Sequence, residues 1–190
     1  AQDKHQEAID SYSDLIARFE SSPRLAESYL GRANASYQMN RFPEALADYR
    51  KILEMFSTDP QAKGVVEKAR FGLAWTYLKS GDLDRSIEGF RGVLERAENK
   101  AVKVSALTQI GDAYQEAGRL DEAIATYDKI LKEMPDTPYS DYVQYRLGVV
   151  LLKANRLEPA VLAFQALQAH YPKSRFLEES RYYLGVAYFK

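Results

Sequence analysis

Small, aromatic and aliphatic residues recur along this chain at fixed distances. Small residues stand at Ala8, Ala45, Ser86, Ala123 and Ala160, spaced by 37, 41, 37 and 37 positions. Four residues after each comes an aromatic: Tyr12, Tyr49, Phe90, Tyr127 and Phe164. Three further on comes an aliphatic: Leu15, Ile52, Val93, Ile130 and Leu167. The i, i+4, i+7 spacing places all three on one face of an α-helix. The small side chain lets a neighbouring helix approach closely, and the other two fill the space beside it.

A second set of small residues precedes the first by about a dozen positions, at Ala33, Ala74, Gly111, Gly148 and Gly185, with Ser36, Tyr77, Tyr114, Leu151 and Tyr188 three positions later. Between the two sets lie short turn signals: Asn40-Arg41, Ser80-Gly81-Asp82, Gly118-Arg119 and Asn155-Arg156. Gly and Asn accept the left-handed backbone that ends a helix. Each repeat therefore reads as helix, tight turn, helix. Pro23, Pro60, Pro135, Pro138 and Pro172 fall between repeats, where proline ends one helix pair or starts the next.

The pattern predicts about ten helices: a lone second helix near 3–20, four full pairs near 23–57, 60–97, 100–134 and 138–171, and a lone first helix near 174–190. No segment alternates with period two over a useful length, so no sheet is expected. The 41-residue spacing puts extra residues around Ser57–Gly64, as a longer loop or extended helices. Residues 1–190 read as a single repeat array. The chain opens on Ala1 without a signal-peptide pattern, and the run Tyr182–Lys190 stops on an apolar helical pattern. It is expected to be a piece of a longer protein, with self-association through its exposed ends.

Composition narrows the function classes. With 190 residues, 46% of them apolar, the chain can bury a sizeable core. Lys and Arg number 26 against 27 Asp and Glu, so there is no general pull on nucleic acid or anionic lipid. No apolar run approaches the roughly 18 residues of a membrane span, and no direct membrane insertion is expected. Cysteine is absent, which removes disulfides, thiol nucleophiles and Cys-ligated zinc.

The motif Ile110-Gly111-Asp112-Ala113-Tyr114, then Gly118, Ala123, Tyr127 and Pro135, resembles the tetratricopeptide repeat. The copy ending at Pro172 matches nearly as well, and the resemblance covers essentially the whole chain. It departs in detail: the usual Trp of the first helix is missing, Ser86 replaces Ala, and the period is 37 rather than about 34. Tyr171-Pro172-Lys173-Ser174 followed by Tyr182-Tyr183-Leu184-Gly185 is similar to repeats of bacterial envelope proteins, including outer-membrane assembly lipoproteins and a periplasmic Tol-Pal partner. That subtype implies a periplasmic or envelope setting, with the cytoplasm left open.

The resemblance implies an all-α, right-handed superhelical solenoid of antiparallel helix pairs. It also implies a non-enzymatic scaffold for another protein, held as a peptide or helix in a concave groove lined by first helices. The groove positions it carries over are Leu30, Asn34 and Tyr37, then Lys68, Phe71, Trp75 and Lys79, then Asp112 and Gln115, then Tyr142, Tyr145 and Lys153. Arg146 stands beside the last group as a cation that an acidic ligand could meet. Aromatic residues are favoured anchors at such surfaces, and alanine at Trp75 or Tyr145 is expected to weaken capture while melting stays intact. The Lys and Asn pair that grips a C-terminal carboxylate in one family subtype is not assembled. Two other readings stay open: a structural spacer arm of a larger machine, using its convex face or ends, and an inactive piece of an enzyme whose catalytic domain lies elsewhere.

Catalytic and cofactor signals are weak. His5 and His170 lie far apart in the array and read as surface or capping residues. The acidic groups of Gly81-Asp82-Leu83-Asp84 and Asp121-Glu122 sit where second helices begin and complement the helix dipole. No nucleophile elbow, P-loop or dinucleotide fingerprint occurs. No cofactor and no metal site is expected.

Overall fold

The computed structural model describes residues 2–190. Ten α-helices follow in order: α1 (Gln2–Arg18), α2 (Leu25–Gln38), α3 (Phe42–Phe56), α4 (Lys63–Lys79), α5 (Leu83–Arg96), α6 (Lys100–Glu116), α7 (Leu120–Glu133), α8 (Ser140–Lys153), α9 (Leu157–His170) and α10 (Leu177–Phe189). No strand occurs among the described residues. The extra residues of the long repeat form a 3-10 helix, Pro60–Ala62, capped by the Asp59 carboxylate on the Gln61 amide, ahead of α4, which at 17 residues is as long as α6.

Each turn within a pair has the same backbone. Asn40, Gly81, Gly118 and Asn155 all take positive φ, between 57 and 82°. The amide after each reaches back to the residue three past the small position: Arg41 to Ser36, Asp82 to Tyr77, Arg119 to Tyr114 and Arg156 to Leu151, each at 2.9 Å. A second bond, closing a smaller loop, nests inside each one, as Asn40 to Tyr37 at 2.9 Å. This double closure satisfies the last carbonyls of the first helix and fixes the direction in which the second departs.

The chain divides into two compact units, Ala1–Val93 and Leu94–Lys190. In the first, α1 packs on α2, α2 on α3 and α3 on α4, and α2 also touches α4. In the second, α6 to α10 pack successively, and α8 also touches α10. The repeated triad is the core of both. Tyr49, Phe90, Tyr127 and Phe164 are buried, as are Ile52, Val93, Ile130 and Leu167, beside fully buried Ala45, Ser86, Ala123 and Ala160.

Glycine makes room for the rings in two registers. In the second unit it stands at the small position itself: a Cβ added at Gly111 or Gly148 would lie 2.6 Å from the ring of Tyr127 or Phe164. In the first unit it stands two residues earlier: a Cβ at Gly31 or Gly72 would lie 2.3 or 2.4 Å from the ring of Tyr12 or Tyr49. There the ring leans on the first helix of the following pair. The sequence pattern shows the first register and misses the second.

Ser86 breaks the pattern of alanines at the small position of the second helices. It is fully buried, and its hydroxyl has no hydrogen-bond partner. An unmet buried hydroxyl costs about 1–3 kcal/mol, and the four other repeats show that a methyl fits. Ser86→Ala should therefore raise the thermal midpoint, an outcome readable by circular dichroism.

Candidate functional site

Seven of the groove positions lie on the first helices of the first unit. Lys68, Phe71, Trp75 and Lys79 fall at i, i+3, i+7 and i+11 of α4, one stripe along the helix. The two lysines are exposed and the two aromatics half-buried. Phe71 and Trp75 each meet Phe90 edge-on, with centroids 5.8 and 5.9 Å apart. One side of each ring thus rests on the core while part of it stays accessible between two cations. On α2, Leu30 and Tyr37 pack partly onto the core, and the Tyr37 ring lies 6.1 Å from Phe42. Burial raises the Tyr37 phenol above its ordinary pKa. Asn34 is exposed at the same face, and its Oδ1 accepts the Tyr49 hydroxyl at 2.6 Å. Desolvation, with Tyr37 and Asp48 adding to it, pushes the Tyr49 phenol up to about 12. Arg32 lies behind this face and is committed to the frame. It donates to both Asp48 oxygens at 2.8 and 2.7 Å and to Ser13 at 3.2 Å, joining α1, α2 and α3.

The second unit arranges its candidates differently. Asp112 on α6 accepts from Tyr127 Oη at 2.5 Å, from Tyr142 Oη at 2.9 Å and from Arg146 Nη2 at 2.8 Å. Arg146 Nε also lies 3.4 Å from the Tyr127 hydroxyl, and the guanidinium sits 5.7 Å from the Tyr142 ring centroid. The Arg146 and Asp112 side chains keep 23% and 16% of their exposure, so the pair is largely withdrawn from water. Burial and the Asp112 carboxylate raise the Tyr127 and Tyr142 phenols far above their ordinary range. Burial opposes the Arg146 charge, but Tyr127 and Asp112 outweigh it, and its pKa is raised. Asp112, Tyr142 and Arg146 are therefore engaged with one another, through a tyrosine whose hydroxyl the sequence pattern treats only as core. Tyr145 stacks on Phe176, with centroids 5.0 Å apart and planes 10° apart. Gln115 is half-buried, with its Oε1 unpartnered, and Lys153 is exposed.

Two details change the sequence expectation for alanine substitutions. Trp75 braces Phe90 and Tyr145 braces Phe176, so removing either ring strips packing from its unit and lowers the melting temperature.

A cleft of about 390 Å³ opens at the junctions around Thr137–Pro138 and Tyr171–Ser174, with Asp141, His170 and Lys173 also on its walls. Ser174 donates directly to Asp141 at 2.7 Å. A hydrolytic triad needs serine to give its proton to histidine and the carboxylate to orient that histidine, which is a different order. Among the described residues no group of three His, Cys, Asp or Glu is placed to hold a metal ion. No helix among them is long and apolar enough to cross a membrane.

Helix–turn–helix units repeated in register define a helical-repeat protein. Tetratricopeptide-repeat family models match residues 1–60 and 71–141 in one case and 114–178 in another. The chain belongs to the tetratricopeptide repeat family, whose general role is interaction with other proteins. Among curated proteins none matches in sequence at a significant level. Solved structures share the fold. The apo form of RapI aligns with a TM-score of 0.78 at 16% identity over 95% of this chain, and this chain spans only 53% of RapI. BtubC from P. vanneervenii aligns with a TM-score of 0.73 at 15% identity, covering 98% of this chain and 81% of its own. YrrB, described as a TPR protein with an unusual peptide-binding site, aligns with a TM-score of 0.63 at 19% identity, covering 95% and 83%.

Proposed function

We propose that the chain is a non-enzymatic scaffold that holds a peptide or helix against the first helices of its first unit. The observation that carries this is the α4 stripe: half-buried Phe71 and Trp75 set between exposed Lys68 and Lys79. Aromatics already braced on one side lose little freedom when a ligand covers the other. Flanking cations select a segment that pairs apolar residues with acidic ones. Leu30, Asn34 and Tyr37 on α2 extend the contact surface. Asp112, Gln115, Tyr142, Tyr145, Arg146 and Lys153 are read as the corresponding face of the second unit, with Lys153 its open cation. A bacterial envelope assembly is the setting that the Tyr171–Ser174 junction favours.

The test uses a random peptide library displayed on phage and selected on the chain. Trp75 is the only tryptophan, so its emission reports ligand at the stripe directly. Selected peptides should be rich in acidic and apolar residues and should shift that emission. The double charge reversal Lys68→Glu with Lys79→Glu should weaken them by about tenfold or more, while exposed positions leave thermal unfolding nearly unchanged. Peptides that bind both proteins equally, or leave Trp75 silent, would overturn the groove reading in favour of a spacer arm.

A further inference from the structure

We propose that the α4 face takes an amphipathic α-helix, carrying two acidic residues eleven positions apart with apolar residues between them. This rests on the groove reading above and names the occupant that the groove selects. Lys68, Phe71, Trp75 and Lys79 all lie on α4. At about 100° per residue they fall within an arc of about 80°. At about 1.5 Å per residue the two lysines stand about 16 Å apart along the axis, with the rings about 4.5 and 10.5 Å from Lys68. The order along that line is cation, ring, ring, cation. Both lysines are exposed. The two rings are held in place edge-on against Phe90, so a ligand must come to them.

The spacing separates a helical ligand from an extended one. An extended segment returns a side chain to the same face every two residues, or about 6.6 Å. Starting opposite one lysine, its same-face residues reach about 7, 13 and 20 Å, out of step with the rings and with the second lysine. Five residues would span about 16 Å, but residues five apart point to opposite faces. A helix laid nearly parallel to α4 has the pitch of α4 itself. Its first, fourth or fifth, eighth or ninth, and twelfth residues form one stripe that meets all four positions in a single register.

The neighbouring first helix supplies a second wall. Leu30 and Tyr37 are two turns apart on α2. They pack on the same core cluster as Val66 and Ala69 of α4, and α2 touches α4. A helix lying along α4 can rest one apolar flank on them. Its acidic residues then face cations at both ends of the contact, which fixes how far it slides along the face.

The test follows Trp75 emission, since the chain has no other tryptophan. The probe is an end-capped peptide of alanine and glutamine, with glutamate at positions one and twelve and leucine at four, five, eight and nine. It should shift the emission and gain helical circular dichroism on binding. Moving the second glutamate to position six, or placing proline there, should weaken binding by about tenfold or more. The variant Lys68→Glu with Lys79→Glu should lose this peptide and gain the version with lysine at positions one and twelve. Binding undiminished by the moved glutamate or by the proline would overturn the proposal in favour of an extended ligand, as would a charge-reversed chain that keeps the glutamate peptide. If library-selected peptides shift Trp75 and the designed helix does not, the helix is overturned and the groove reading stands. If neither shifts it, both fall.

Discussion

Phe164→Ala should destabilise the second unit by about 3–5 kcal/mol, seen as a lower urea midpoint. The ring is fully buried, and it is clamped between the backbone of Gly148 and the stacked ring of Tyr183, 6.0 Å away. Removing it leaves a cavity beside Gly148 and Tyr183. The same geometry makes a sharper claim through Gly148. In the parent chain Gly148→Ala gains up to about 1 kcal/mol of helix propensity. It also puts a methyl 2.6 Å from ring atoms that have no room to retreat, an overpacking that costs about 1–3 kcal/mol. The net result is a loss. In the Phe164→Ala background the ring is gone, and the same substitution should stabilise. That change of sign in a double-mutant cycle is the signature of a ring seated in a hole. Equal losses in both backgrounds would mean that the ring does not occupy the space at Gly148.

Asp112→Ala carries the second large effect, a loss of about 3–5 kcal/mol. It removes the acceptor of two hydroxyls and the counter-ion of a guanidinium that keeps only 23% of its exposure. A charge left unpaired in that setting costs more than the pair contributes. The contrast is Asp121→Ala, which breaks the exposed bond to Arg156 at 2.6 Å and should barely move the urea midpoint. Replacing the whole cluster at once, by Asp112→Leu, Arg146→Met, Tyr127→Phe and Tyr142→Phe, should recover much of the loss, since apolar side chains of similar volume leave no charge behind. If Asp112→Ala and Asp121→Ala behave alike in urea, the cluster is not withdrawn from water as described.

The helices were legible because each repeat states its period and its stop in local terms. Asn40 and Gly118 terminate their helices through the backbone conformation that their own side chains permit, and no distant partner is needed to see it. The rings were legible for the same reason: Tyr49 and Phe164 sit at one fixed step from a small residue. The relation of one repeat to the next was harder to read. Gly31 and Gly72 lie off the small-residue register and are explained only by rings from the preceding helix. The cluster around Asp112 draws on α6, α7 and α8, so no single helix periodicity announces it. Lys68, Phe71, Trp75 and Lys79 share one stripe of α4 as their spacing implies, but the bracing of Trp75 by Phe90 depends on a contact between helices that spacing alone does not fix.

Four turns of one kind carry a kinetic consequence. Each joins two helices through a handful of residues, and the bonds between repeats, such as Arg156 to Asp121 and Ser174 to Asp141, join positions only 35 and 33 apart. Contacts this close along the chain give a low contact order, and loop closure adds little to the folding barrier. Any helix pair can serve as the nucleus from which neighbours zip on, so a slow or damaged pair is bypassed rather than allowed to stall the whole chain.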